Sequence, residues 1–283
     1  MSNPPTIEQR TLFARAQRFF RNPKGLLILV LGAFIVVAMA INGPRLLAPG
    51  LLAAALAAML VDAPLLRLRK KKWVFPDGAL LTGLIVAMIL SPQAPWRVAA
   101  FASAVAVTSK YLLRAGPANI FNPAALGLFA AFFIFHSGQS WWGALPDWPR
   151  PLAGQAVLLL LIATGGLVAD RVKRVPAALA FLGVHYLLFT LTAFVGDPGR
   201  VAAIFRSSDL HAALFCAFFM ITDPPTSPAK PRDQIIFGAI AAAVSFGVSQ
   251  LVGAVIFLLA GLLVANLWEA WRRSRVRAAR HAG

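Results

Sequence analysis

The chain has 283 residues, 59% of them hydrophobic and 13% charged, with a mean hydropathy of +0.74. Soluble domains carry about 25% charged residues, so this composition excludes a domain that faces water on all sides. The net charge of +17 excludes little by itself; because the basic residues sit between apolar runs and are not interleaved with aromatics, they read as topology signals, and nucleic-acid binding is set aside.

Residues 1–24 form a polar, basic segment, and the apolar run after it lacks a small-residue cleavage site, so it reads as a start-transfer helix that stays. Ten apolar runs bounded by charge, Pro or Gly follow, at 25–42, 47–66, 78–92, 97–113, 119–136, 153–169, 175–196, 209–224, 233–249 and 251–268. Most approach the roughly 20 residues that a spanning helix needs; the third and eighth are short. With the N-terminus in the cytoplasm, the 27 Lys and Arg residues divide 22 inside to 5 outside. That asymmetry predicts ten crossings with both termini cytoplasmic, in a bacterial-type inner membrane. The seven Trp residues fall at run ends or in short loops, where amphipathic rings favour the headgroup level. The predicted organisation is a first five-helix repeat over 25–136, an external loop over 137–152 lying on the surface, a second repeat over 153–268 and a basic cytoplasmic tail over 269–283. The single cysteine, Cys216, lies inside an apolar run and reads as a small buried hydrophobe.

Five crossings per half would set the halves antiparallel, and the sequence carries a matching internal symmetry. Asp77 opens the third run and Pro92 closes it; Asp209 and Pro224 do the same for the eighth, both at an offset of 132 residues. A short, Pro-terminated segment frees backbone groups that find partners only inside protein or beside a ligand or water. Paired interrupted segments in two inverted halves point to a central binding site; the plainer alternative is two helices that end at Pro near the interface. A further landmark, Asn119-Ile-Phe-Asn122-Pro123, opens the fifth run. Asn122 reads equally as an N-cap before a first-turn proline or as a group that holds a ligand edge. No charged residue lies in the middle of a run, which argues against an ion pump built from this chain alone. Only His185 is deep among the histidines, so a bis-histidine haem is not expected, and neither a metal-ligand motif nor a phosphate loop is present.

The segments Asp77-Gly-Ala-Leu-Leu-Thr82-Gly83, Leu90-Ser-Pro92, Lys110, Asn119-x-Phe-Asn122-Pro123-Ala-Ala-Leu-Gly127 and Phe219-Met-Ile-Thr222-Asp223-Pro-Pro-Thr226-Ser227-Pro228 occur in that order along nearly the whole chain. Together they resemble the RnfD/NqrB family, the membrane components of Rnf and sodium-translocating NADH:quinone reductase complexes. The resemblance implies an all-α fold of ten helices in two inverted five-helix repeats, flavin held within the bundle and electrons passed through the membrane. It implies a cofactor site drawn from Asp77, Thr82, Gly83, Lys110, Asn119, Asn122, Pro123, Thr222, Asp223, Thr226 and Ser227. In the family a Thr in a Ser/Thr-Gly-Ala-Thr motif, between helices 5 and 6, carries FMN as a phosphoester. Here that loop reads His136-Ser-Gly-Gln-Ser-Trp-Trp, so the flavin expected is noncovalent riboflavin or FMN. In that role Asp223 would accept from the ring N3–H, and a helix end near N1 would stabilise the reduced ring. The chain has no Gly-rich strand–turn–helix for a nicotinamide cofactor, so it reads as one part of a redox complex and not a complete enzyme. Its electrons would come from a partner reductase and go to a quinone or another redox protein. The competing reading is a channel or carrier for a small neutral solute, of the urea-transporting, inverted-repeat kind, which physics alone fits as well.

Overall fold

The computed structural model describes residues 22–146, 151–195, 199, 205–252 and 256–282. The basic residues Arg10, Arg15, Arg18 and Arg21 of the predicted N-terminal segment lie outside the described residues, as do Trp148, Arg150 and Arg200. Among the described residues there are ten helices: α1 (Pro23–Asn42), α2 (Pro44–Lys70), α3 (Asp77–Ile89), α4 (Trp96–Leu112), α5 (Pro123–Phe135), α6 (Pro151–Arg171), α7 (Val175–Val195), α8 (Ser207–Phe215, continued by a π-helical turn over Cys216–Ile221), α9 (Pro231–Val252) and α10 (Phe257–Ala282). The only strands among them are a two-residue hairpin, Arg114–Ala115 with Ala118–Asn119. The chain is therefore an all-α, multi-pass membrane protein. Among the described residues, five helices are long and apolar enough to cross a bilayer, and α3, α5 and the α8 segment are shorter apolar helices.

Local chemistry sets the boundaries. Asn22 caps α1, its side chain accepting from the Lys24 N–H at 3.1 Å ahead of Pro23 at the first helical position. Gly43, at φ 86°, breaks α1 from α2. Lys71 turns left-handed at φ 55° to end α2, whose last turn carries Arg67, Arg69 and Lys70 at the negative end of the helix dipole. At the other end of the chain, the predicted tail is not a separate segment: α10 runs unbroken from Phe257 to Ala282. Glu269 explains the continuation, because it is buried and pairs with Arg272 at 2.7 Å and Arg273 at 2.6 Å, one turn further on.

The packing repeats itself between halves. α4 lies between α2 and α5, and α9 lies in the same way between α7 and α10. Equivalent glycines permit it: a Cβ on Gly127 of α5 would strike the Ala102 carbonyl of α4, and one on Gly261 of α10 would strike the Ala241 carbonyl of α9. Small residues at such contacts are how helices approach closely in lipid, where no hydrophobic force drives them together.

The two interrupted helices end differently. At the end of α3 the loop over 136–146 folds inward and takes the freed backbone. Ser140 N and Trp141 N donate to the Ile89 carbonyl at 2.9 and 3.1 Å, and Ser91 N donates to Gly138 O at 2.9 Å. Trp141 and Trp142 are each only 5% exposed, and Gly143 sits against Met88 with no room for a Cβ. This corrects the surface loop and headgroup-level indoles expected from sequence: the free carbonyl of a broken helix outcompetes the interface for this segment. After α8 the turn over 223–228 closes on itself through the Thr226 and Ser227 N–H groups, which donate to Asp223 O at 3.1 and 3.0 Å. α10 then pins that turn. Arg273 donates to the carbonyls of Pro225 (2.9 Å) and Ser227 (2.8 Å), and Asn266 donates to that of Thr226 (3.3 Å).

Candidate functional site

A cavity of about 450 Å³, with Lys24 and Lys110 in its lining, lies among these helices. Its walls come from both repeats: the starts of α1, α3 and α5, the end of α4, the end of α6 and the turn after α8. Leu27, Leu81, Ile85, Val168 and Phe219 make it largely apolar, while Thr82, Lys110, Asn119, Asn122 and Asp223 bring polar groups to the same space. That size and mixture are usual for a small-molecule or cofactor site.

Each polar group is held in a defined way. Thr82 Oγ1 donates back to the Gly78 carbonyl at 2.8 Å and keeps its lone pairs for a donor in the cavity. Lys110 Nζ reaches from α4 to the same carbonyl at 2.9 Å and, among the described residues, has no carboxylate within ion-pair range. Asp223 Oδ2 accepts from Thr226 Oγ1 at 2.9 Å, leaving Oδ1 for another partner. The Asn119 carboxamide makes no hydrogen bond within the described residues. Asn122 is the N-cap of α5, its Oδ1 accepting from Ala125 N at 3.1 Å, and its Nδ2 donates to Met220 O at 3.3 Å across the repeat boundary. Both of its polar atoms are thus engaged by the fold even though the residue lines the cavity.

Of the eleven residues drawn from sequence, Thr82, Lys110, Asn119, Asn122, Pro123 and Asp223 line this cavity. Asp77 lies next to it, in a second chamber of about 210 Å³, where it pairs with Lys24 at 3.1 Å. The other four lie behind the wall. Gly83 faces α2, where an added Cβ would come within 2.7 Å of the Ala54 carbonyl. Thr222 donates within α8 to Phe218 O. Thr226 and Ser227 shape the turn that presents Asp223, and Ser227 Oγ donates to Asp223 O at 2.7 Å.

Three supports of this site are not evident from sequence reasoning. Arg174 Nε donates to Ser227 Oγ at 3.1 Å; burial, and then the nearby Arg273, hold its guanidinium below the ordinary value for arginine. Arg273 pins the turn as described above. In sequence both read as topology charges, and nothing local separates a pinning arginine from an orienting one. Asn266, fully buried in α10, accepts from Asn122 N at 2.7 Å through Oδ1. It carries a legible signal, since an amide within a membrane run seeks a partner within the protein.

Fold and site together define a polytopic membrane protein with a largely apolar cavity, bearing a few polar groups, at the junction of two inverted repeats. The chain matches the model of the NQR2, RnfD, RnfE family over residues 10–151 and 140–269, and it belongs to that family. It is similar to RnfD of Pseudomonas aeruginosa strain LESB58, the D component of an ion-translocating oxidoreductase complex, at 30% identity over 239 residues, covering 65% of this chain and 70% of the relative. The equivalent proteins of Klebsiella pneumoniae strain 342 and Yersinia pseudotuberculosis serotype I are 26% and 27% identical, covering 66% of this chain and 74% and 73% of theirs.

Proposed function

We infer that the chain is the flavin-binding membrane component of an electron-transport complex, holding riboflavin or FMN noncovalently in the cavity between the repeats. The observation that carries this reading is the convergence of Thr82, Lys110, Asn119 and Asp223 on one apolar space, in a chain whose relatives are named as parts of an ion-translocating oxidoreductase complex. The donor set suits the group: a flat apolar ring with a polar edge needs apolar walls and a few placed hydrogen-bonding groups. When bound, the flavin supplies the electron-carrying chemistry. The chain's part is to bind and orient it. Leu81, Ile85 and Phe219 would exclude water from the ring, Asp223 Oδ1 would accept from a ring N–H, and Asn119 and Thr82 would bond its remaining polar groups. Electrons enter from a partner reductase and leave to another redox protein of the complex or a quinone, with both termini of the chain in the cytoplasm.

A path for a neutral solute is less well supported. Beside the α3 break, where an inverted repeat would place the counterpart of the turn after α8, the space lined by Leu90, Pro92 and the buried Trp142 is only about 10 Å³. The test is the near-ultraviolet and visible spectrum of detergent-purified protein, before and after acid precipitation. Flavin bands that move to the supernatant are expected. Bands that stay with the pellet would refute noncovalent binding and direct attention to the hydroxyls of Ser137 and Ser140. A protein that is colourless, and stays so after riboflavin or FMN is added, would refute flavin binding and favour the solute carrier.

A further inference from the structure

The cavity has a neighbour of different character. A second chamber of about 210 Å³ shares Lys24, Gly78, Lys110 and Asn119 with it and adds a strongly charged lining. Five cations, Lys24, Arg69, Lys70, Lys110 and Arg114, face two carboxylates, Asp62 and Asp77. The carboxylates are already engaged: Asp77 with Lys24, and Asp62 as acceptor from Tyr111 Oη at 2.7 Å. Among the described residues no ion pair reaches Arg69, Lys70, Lys110 or Arg114. Topology signals account for cations at a free surface; they do not account for Lys110, which stands in the shared wall of both chambers with a backbone carbonyl as its one hydrogen-bond partner among the described residues. α1, α3 and α5 also begin at this cavity and turn the positive ends of their dipoles toward it.

An apolar slot that shares a wall with a chamber of excess positive charge fits one shape of ligand: a flat apolar body with an anionic end. Resting on the flavin reading above, we propose that the second chamber seats a phosphate, so that the cavity selects the phosphorylated flavin, FMN, over riboflavin without a covalent bond. Lys110 is the phosphate partner nearest the ring, and Arg69 and Lys70 lie at the outer rim. A phosphate monoester carries nearly two negative charges at neutral pH, and charge-assisted bonds to it are stronger than neutral ones.

The experiment is equilibrium dialysis of the full-length, detergent-purified chain, stripped of flavin, against FMN and riboflavin. FMN is expected to bind at least about tenfold more tightly at low salt, in line with one charged hydrogen bond. That advantage is expected to shrink in high salt, to fall when inorganic phosphate competes, and to vanish in Lys110→Gln, where the loss of affinity for FMN exceeds any loss for riboflavin. If Lys110→Gln does not fold, Arg69→Gln serves, with a several-fold loss for FMN alone. Equal binding of the two flavins by the wild type would overturn the phosphate seat and leave the flavin reading standing. Failure of both to bind would overturn the flavin reading itself. The same phosphate chemistry is available from lipid: an FMN advantage present in phosphatidylcholine nanodiscs but lost in phosphatidylglycerol nanodiscs would assign the chamber to a lipid headgroup and overturn the proposal.

Discussion

Replacing Asn266 with Ala tests what holds the repeats together beneath the cavity. The Asn266 side chain makes one bond across the junction, accepting from Asn122 N at 2.7 Å, and one within its own repeat, donating to Thr226 O at 3.3 Å. Removing it strands a buried N–H, at about 1–3 kcal/mol, and gives up a longer bond to a carbonyl, at about 0.5–1 kcal/mol. Hydrogen bonds between membrane helices average nearer 0.6 kcal/mol each, which sets the floor near 1 kcal/mol and the working value at about 2–3 kcal/mol. At about 2–4 °C per kcal/mol for a chain of this size class, the melting temperature in detergent falls by about 4–12 °C. Ser245→Ala is the matched control, because the Ser245 hydroxyl is buried with no hydrogen-bond partner among the described residues; its removal is expected to shift melting by less than about 2 °C. The two variants are compared by thermal unfolding in one detergent, with light scattering to exclude early aggregation. If Asn266→Ala melts with Ser245→Ala, the bridge contributes nothing and the coupling of the repeats must be sought in packing alone.

Gly127→Leu is expected to abolish stable insertion, because even a Cβ there collides with the Ala102 carbonyl; the check is recovery of monodisperse protein, and normal recovery would show that α4 and α5 can separate. Trp142→Ala is expected to cost about 3–5 kcal/mol as a large-to-small change at a buried site, because the indole fills the space beside the α3 break. Melting is again the measurement, and a loss under about 1 kcal/mol would mean that the loop collapses into the space it leaves.

How much of this is readable from sequence follows from what each residue type announces. The helices are legible because apolar runs between Pro, Gly and charge report the bilayer directly; α3 closes ahead of Pro92 and the α8 segment ahead of Pro224, as their prolines require. The ends of α2 and α10 are less legible. Arg67, Arg69 and Lys70 stay helical beyond the apolar run because they suit a helix C-terminus, and Glu269 carries α10 onward through Arg272 and Arg273. The two indoles mislead because Trp at a run end has two uses, headgroup anchoring and filling a gap beneath a broken helix. Only the distant Ile89 carbonyl decides between them. Gly83 enters the predicted site through its motif, whereas its task is to let α3 touch α2. For Asn122 the sequence permits both cap and ligand group, and the geometry makes it the cap.

The asymmetry between the two breaks is itself informative. An inverted repeat produces two similar interruptions, one near each face of the membrane, each with freed backbone to satisfy. At the α3 break the chain satisfies that backbone with its own loop and fills the space with Trp141 and Trp142. At the α8 break it does so with side chains from behind, Asn266 and Arg273, which hold the turn without entering the cavity. The front of the turn, Asp223 above all, is thereby left to face open space. A fold that merely had to repair a broken helix would plug both sides alike. Bracing one break from behind keeps a cavity where polar groups converge, and the bracing residues sit at the same junction that couples the two halves.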